Sequence, residues 1–212
     1  MRFERIRSIN IENLQHGIKH LDNYLKTHSN VLWERDFHNS LYERLEHQRS
    51  RGLDEAFWQF LVDELAKWKA FRPTPREIII ERGLERLERL RTHYAPLSTV
   101  SVQLDHGLSQ VSWRDVFPLF RVAAEIKPVK HGSPVFPSKL CHFLCPSIYP
   151  VFDNTLVKTG KIEYMEYWTE CKKKWEKAPG KGALIQELKS HFPEAACDHY
   201  PWPTRIFEIC QY

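Results

Sequence analysis

The chain has 212 residues, 42% of them hydrophobic, 27% charged and 13% aromatic, with a formal net charge of +4. That length suits one domain with a good core, or two small lobes sharing it, and the composition excludes a disordered or fibrous chain. No apolar run approaches the roughly 18 residues of a membrane span, the opening MRFERIRSIN carries no secretory leader, and the five cysteines form no framework. A monomeric protein of the reducing cytoplasm, with no membrane partner, is expected. The sequence pI of about 8.8 permits an anionic partner without demanding one.

The predicted elements are helices almost throughout. From Ile11, the apolar residues Leu14, Ile18, Leu21 and Leu25 recur at spacings of three and four, the period of an amphipathic helix. Phe37, Leu41 and Leu45 mark a second. In DEAFWQFLVDELAKWKAF, Phe57, Phe60, Leu61, Leu65 and Trp68 share a face behind a cap at Asp54. Arg72-Pro73 ends this third helix, because the residue before a proline is pushed out of the helical region. Thr74-Pro75-Arg76-Glu77 reads as a capping box that opens a helix from Pro75 to about His93, whose interleaved glutamates and arginines pair along a solvated face.

Val100, Val102 and Leu104 alternate with polar residues, which fits a short strand or an irregular connection. Ser112 caps a buried helix through Phe117, Phe120, Val122, Ala123 and Ala124, with Pro118 in its first turns. The proline-rich KPVKHGSPVFP then forms a loop around Gly132 that gathers Lys127, Lys130 and His131. Beyond Asn154, helix is expected through much of KIEYMEYWTECKKKWEK, a break at residues 178–182, and helix again across Leu184, Ile185 and Leu188. Thr204 caps a last helix with Ile206, Ile209 and Cys210 facing inward. The fold class is mainly α, with about seven to nine helices. They form a single helical domain, or two lobes of about residues 1–110 and 111–212.

The stretch SKLCHFLCPSIYPVFDN, residues 138–154, places a lysine and an aspartate at the ends of an otherwise apolar run. Ser138 after Pro137 reads as a helix cap, and Pro146 stops the helix, so Lys139 to Cys145 makes about two turns. Lys139 and His142, three apart, share a face. Asp153 stands where an aspartate would cap the next helix. The helix rises only about 10 Å, so the turn PSIYP can bring Asp153 back to Lys139 or His142. Tyr149, Phe152 and Phe143 would desolvate such a site, and a charge in apolar surroundings is costly unless paired or used.

The run S-K-x-x-H-F-x-x-P-x-x-x-P-V-x-D, behind a basic loop and an aromatic-rich helix, resembles the lysine-and-aspartate core of the helix-hairpin-helix DNA glycosylases. The resemblance covers about residues 112–160. It implies that fold, and an enzyme that flips a modified or damaged base out of DNA and cuts its N-glycosidic bond without a cofactor or metal. In that reading, Asp153 is the catalytic carboxylate and Lys139 the nucleophile or electrostatic partner. His142, Tyr149, Phe152, Asn154, Trp113 and Trp202 line the base site, and Lys127, Lys130, His131, Ser138 and Arg205 meet the DNA backbone. Gly132 is the loop's one glycine, where the family hairpin has two around an apolar residue, and the lysine-to-aspartate interval is shorter than the family norm. The same pattern, with the TRIFEIC tail, is also similar to bacterial proteins among which phage-defence glycosylases are conceivable.

A second reading is a non-catalytic helical module that binds nucleic acid or protein, with Lys139 and Asp153 as a structural ion pair. Cys141, His142 and Cys145 invite a zinc site, but no second ligand pair follows at structural spacing, so small buried thiols are expected. No nucleophile elbow, phosphate loop or dinucleotide fingerprint is present.

Overall fold

A computed structural model describes residues 6–27, 38–101, 107–127, 133–153, 163–192 and 198–212. These residues are mainly helical and contain no strand. The helices are α1 (Ile11–Thr27), α2 (Asn39–Arg49), α3 (Glu55–Lys67), α4 (Arg76–Leu84), α5 (Leu87–Ser101), α6 (Gly107–Gln110), α7 (Trp113–Ile126), α8 (Val135–Leu144), α9 (Tyr164–Lys177), α10 (Lys181–Lys189) and α11 (Trp202–Ile209). Among the described residues there are therefore more helical segments than the seven to nine expected. The excess comes from the one-turn α6 and from a helix that divides in two.

Two helices are buried on every side. From Phe136 to Phe152 each residue is buried, so α8 and the turn after it run through the centre of the molecule. α11 is buried in the same way from its first residue to its last. Such a helix has no solvated face, which is why the apolar run around Leu140 and Phe143 shows so little periodicity. The partly solvated helices α2, α3 and α7 pack against α8, while α1, α9 and α10 pack against α11. One continuous apolar core joins both sets.

Local signals explain the starts of α3 and α7. The Asp54 carboxylate accepts the Phe57 amide at 2.7 Å and caps α3 as expected. The Asp115 carboxylate accepts both the amide and the hydroxyl of Ser112, which closes the start of α7. Pro118 sits within the first turns of α7 without breaking it.

Elsewhere the packing moves the boundaries. α3 stops at Lys67, short of Arg72, because Lys69 adopts φ 52° and the Ala70 amide reaches back to the Leu65 carbonyl at 3.0 Å. The expected helix from Pro75 to His93 is α4 and α5, turned at Glu85 and Arg86, since α4 packs on α3 while α5 packs on α7. Thr74 makes no cap: its amide is bound to the Phe71 carbonyl, and Pro75 takes the cap position. Val100 is helical in α5, and Val102 and Leu104 lie outside the described residues. Ser138 and Thr204 lie inside α8 and α11, not at their starts. Each hydroxyl donates one turn back within its helix, to Val135 and Pro201 respectively. Thr204 shares its one proton with the Pro146 carbonyl, the nearer acceptor at 2.7 Å.

The α3–α4 contact depends on a glycine. A Cβ at Gly83 would fall on the indole of Trp58, which is fully buried and donates its ring N–H to the Ile80 carbonyl at 3.0 Å. Gly83→Ala overpacks this contact and is expected to cost about 1–3 kcal/mol, read as a lower denaturant midpoint at unchanged slope.

Candidate functional site around Lys139 and Asp153

The two charges of the apolar run converge. Lys139, in the second turn of α8, places Nζ 3.4 Å from Asp153 Oδ2. The same Nζ donates to the Trp68 carbonyl at 3.3 Å and lies 5.8 Å from the centre of the Trp68 ring. A carboxylate, a carbonyl and a π face all suit a protonated amine. The side chains differ in exposure, 9% for Lys139 and 31% for Asp153. The ammonium is thus the inner member of the pair, and whatever arrives from solvent meets the carboxylate first.

His142 shares the helix but has a different environment. The Tyr149 carbonyl, 2.7 Å from Nδ1, can only accept, so Nδ1 carries the proton, and Nε2 accepts from the Tyr42 hydroxyl at 2.7 Å. Burial pushes the pKa of this imidazole down to about 3. With both nitrogens engaged inside the core, His142 pins the turn after α8 and presents no free edge to a base. Tyr149 is buried as well, its hydroxyl donating to the Val116 carbonyl at 2.7 Å. Ser138 does not reach a DNA backbone: it is buried and accepts the Phe152 amide at 3.1 Å. Phe152 packs edge-on against Tyr167, so its ring belongs to the core.

The remaining predicted residues fall elsewhere. Trp113 lies half-buried among Phe117, Phe120, Tyr164 and Trp168 on the α7–α9 side. Trp202 packs on Tyr200 and Phe192, with Lys189 Nζ above its ring. Arg205, expected at a surface phosphate, is buried and ion-paired with Glu208 one turn on, while its Nε faces the Tyr200 hydroxyl at 3.4 Å. Only a paired guanidinium can occupy so buried a helix. Lys127 remains half-exposed and donates to the Arg72 carbonyl at 3.1 Å. Asn154, Lys130 and His131 lie outside the described residues, as does the helix that Asp153 was expected to cap. Cys141, Cys145, Cys171 and Cys210 are free and buried, and burial raises each thiol's pKa.

Three contributors escaped sequence reasoning. Trp68 read as one more inward residue of α3, yet its carbonyl holds Lys139 and its ring contacts His38 and Phe143. His38 has φ 74° and packs at a tilt against Trp68, ring centres 4.9 Å apart; burial, with the charge of Arg205, holds its imidazole well below the ordinary value. Tyr42 supplies the proton that fixes His142. None has a neighbour in sequence that announces the role. A separate cleft of about 630 Å³ opens between α2, α5 and the end of α8, lined by Arg49, Tyr94, Leu144 and His199 among others, and neither Lys139 nor Asp153 reaches it. Comparison of the chain with protein families, curated proteins and solved structures finds no match.

The depressed pKa of His142 has a measurable sign. An unfolded histidine titrates near 6.5 and the folded one near 3, so between those values the unfolded chain binds a proton that the folded chain refuses. The stability from this group is complete above pH 6.5 and falls with the pH below it, by about 3 kcal/mol at pH 4. Urea titrations from pH 7 to 4 should show this loss, and His142→Gln should remove this share of it, leaving that of His38, whose buried imidazole is also held below its ordinary value.

Proposed function

We propose that this chain is a DNA N-glycosylase-like enzyme of helix-hairpin-helix type, acting on a modified or damaged base in repair or phage defence. One observation carries the reading: an inner ammonium and an outer, partly exposed carboxylate stand 3.4 Å apart, joining α8 to the end of its following turn. α7 and α8, packed together and joined by residues 127–134, are the pair of helices that the resemblance places next to DNA.

The chemistry suits those groups. When the N-glycosidic bond breaks, its electron pair leaves with the base nitrogen, which takes up a proton, and positive charge builds on the sugar. Water adds at the sugar carbon and gives up a proton, so free base and an abasic sugar result. Asp153 stabilises the sugar's charge and orients the water, as carboxylates do in glycoside hydrolysis. Lys139, held by Asp153 and the Trp68 carbonyl, acts as the carboxylate's electrostatic partner. Single-step hydrolysis follows, without a covalent intermediate.

The test is incubation with duplex and single-stranded oligonucleotides bearing altered bases, scored for abasic sites. Asp153→Asn keeps an oxygen for Lys139 and should fold normally while losing at least about 100-fold in excision. Borohydride should trap no adduct on the wild type; a trapped adduct at Lys139 would reassign the lysine as nucleophile.

A second reading has its own support in the bonds that Lys139 makes to the Trp68 carbonyl and Ser138 to the Phe152 amide. These are the bonds of a structural clasp in a non-catalytic binding module. The wild type would then release no base, and a Lys139→Met, Asp153→Leu pair would fold with undiminished stability.

A further inference from the structure

The segment after α3, residues 68–73, is fastened to α8 and the end of α7 at three points. Lys139 Nζ holds the Trp68 carbonyl, Phe71 packs edge-on against Phe136 at the start of α8, and Lys127 Nζ holds the Arg72 carbonyl at 3.1 Å. Each fastening uses a backbone carbonyl or an apolar ring. The side chains of Lys69 and Arg72 are left exposed, and among the described residues neither makes an ion pair. Lys127, from the end of α7, adds a third cation to the same edge, with two of its ammonium protons still available.

The backbone at Lys69 carries separate information. The Ala70 amide bonds to Leu65 and the Lys69 amide to Ala66, a six-to-one and five-to-two pair that closes α3 with Lys69 in the left-handed position. Glycine is the residue that fits this position without strain. A lysine there gives up stability and gains nothing inside the fold, since its side chain faces solvent. The other non-glycine residue at positive φ among the described residues is His38, whose ring packs against Trp68. Both departures from easy backbone geometry thus meet at the tryptophan whose carbonyl holds the site lysine. Outliers of this kind cluster where a ligand is handled.

From this arrangement we infer that the α3–α4 turn is a nucleic-acid contact element: Lys69 and Arg72, with Lys127 beside them, hold backbone phosphates of a strand that passes the Asp153 carboxylate. The inference rests on the glycosylase reading for its ligand but concerns binding, which is measured without catalysis. Phosphates are the anion that suits such a row, because cations on two adjoining segments can meet successive charges along one polymer. The turn also offers a second set of cations where the sequence after α7 has the single Gly132 in place of the two glycines of a standard hairpin grip.

The experiment uses the full chain and a fluorescein-labelled oligonucleotide in single-stranded and duplex form. Affinity is measured by anisotropy across a range of salt concentrations, with Asp153→Asn as the binding-competent, inactive background. Lys69→Gly removes the cation and relieves the left-handed strain, so its melting temperature should be unchanged or higher while the log–log salt slope drops by about 1. Lys69→Gly with Arg72→Gln should lower the slope by about 2. A matched pair on α9, Lys173→Ala with Lys177→Ala, should leave it intact.

Wild-type slopes in the double turn variant, an equal loss in the α9 pair, or no salt-dependent binding by the parent chain would each overturn the inference. The two readings fail separately. Salt-dependent binding that needs Lys69 and Arg72, in a chain that excises nothing, keeps the contact element and removes the glycosylase. Excision that survives both substitutions with the slope unchanged does the reverse.

Discussion

A charge that cannot leave the core organises this molecule. Lys139 lies on a helix whose every neighbour from Phe136 to Phe152 is buried, and an ammonium in such a place must be compensated on all its donors. Its two hydrogen-bond partners come from chain segments far apart in sequence: Trp68 closes α3, and Asp153 follows the turn after α8. One side chain therefore fixes the relative positions of three pieces of backbone. Replacing it with an apolar residue removes the Lys139–Asp153 ion pair and the bond to the Trp68 carbonyl together.

The same helix divides its polar work by face. Lys139 points to the rim, where Asp153 is partly exposed, while His142, one turn on, points into the core and is closed by Tyr42 and Tyr149. Ser138 ties the far end of the turn through the Phe152 amide, so the ends of residues 138–153 are stitched together independently of the ion pair. The turn that carries Asp153 is thus held from three directions. A carboxylate fixed in this way is preorganised, and preorganisation gives a charge its value in stabilising a charged transition state.

What the sequence made legible follows from which forces are local. The α3 and α7 starts were readable because Asp54 and Ser112 with Asp115 act within one turn. The amphipathic runs of α1 and α3 were readable because each has one wet face. α8 and α11 were readable as helices but not where they begin, since a fully buried helix has no alternation to mark its start; Ser138 and Thr204 then looked like caps although their hydroxyls serve interior bonds. Lys139 and Asp153 stood out as charges in an apolar run, and their meeting was within reach of the chain length between them. Trp68, Tyr42 and His38 were silent because their roles depend on helices that meet only after folding. Arg205 misled for a related reason. Its pairing with Glu208 at i+3 was visible as spacing, but only burial turns that spacing into a core ion pair.

The position of the partly exposed carboxylate also limits how a ligand can approach. Tyr149, Phe152 and His142 close the core side of the turn, and Arg205 with Glu208 neutralise each other inside α11. Among the described residues next to the pair, the α3–α4 turn is the one that keeps cations outward while touching Lys139 through its backbone. Stability alone would favour a glycine at residue 69 and no lysine at all at residue 139. The fold retains both, on adjacent segments, with Trp68 between them. Two departures from what stability favours, set side by side at one rim, are the ground on which the proposed phosphate contacts rest.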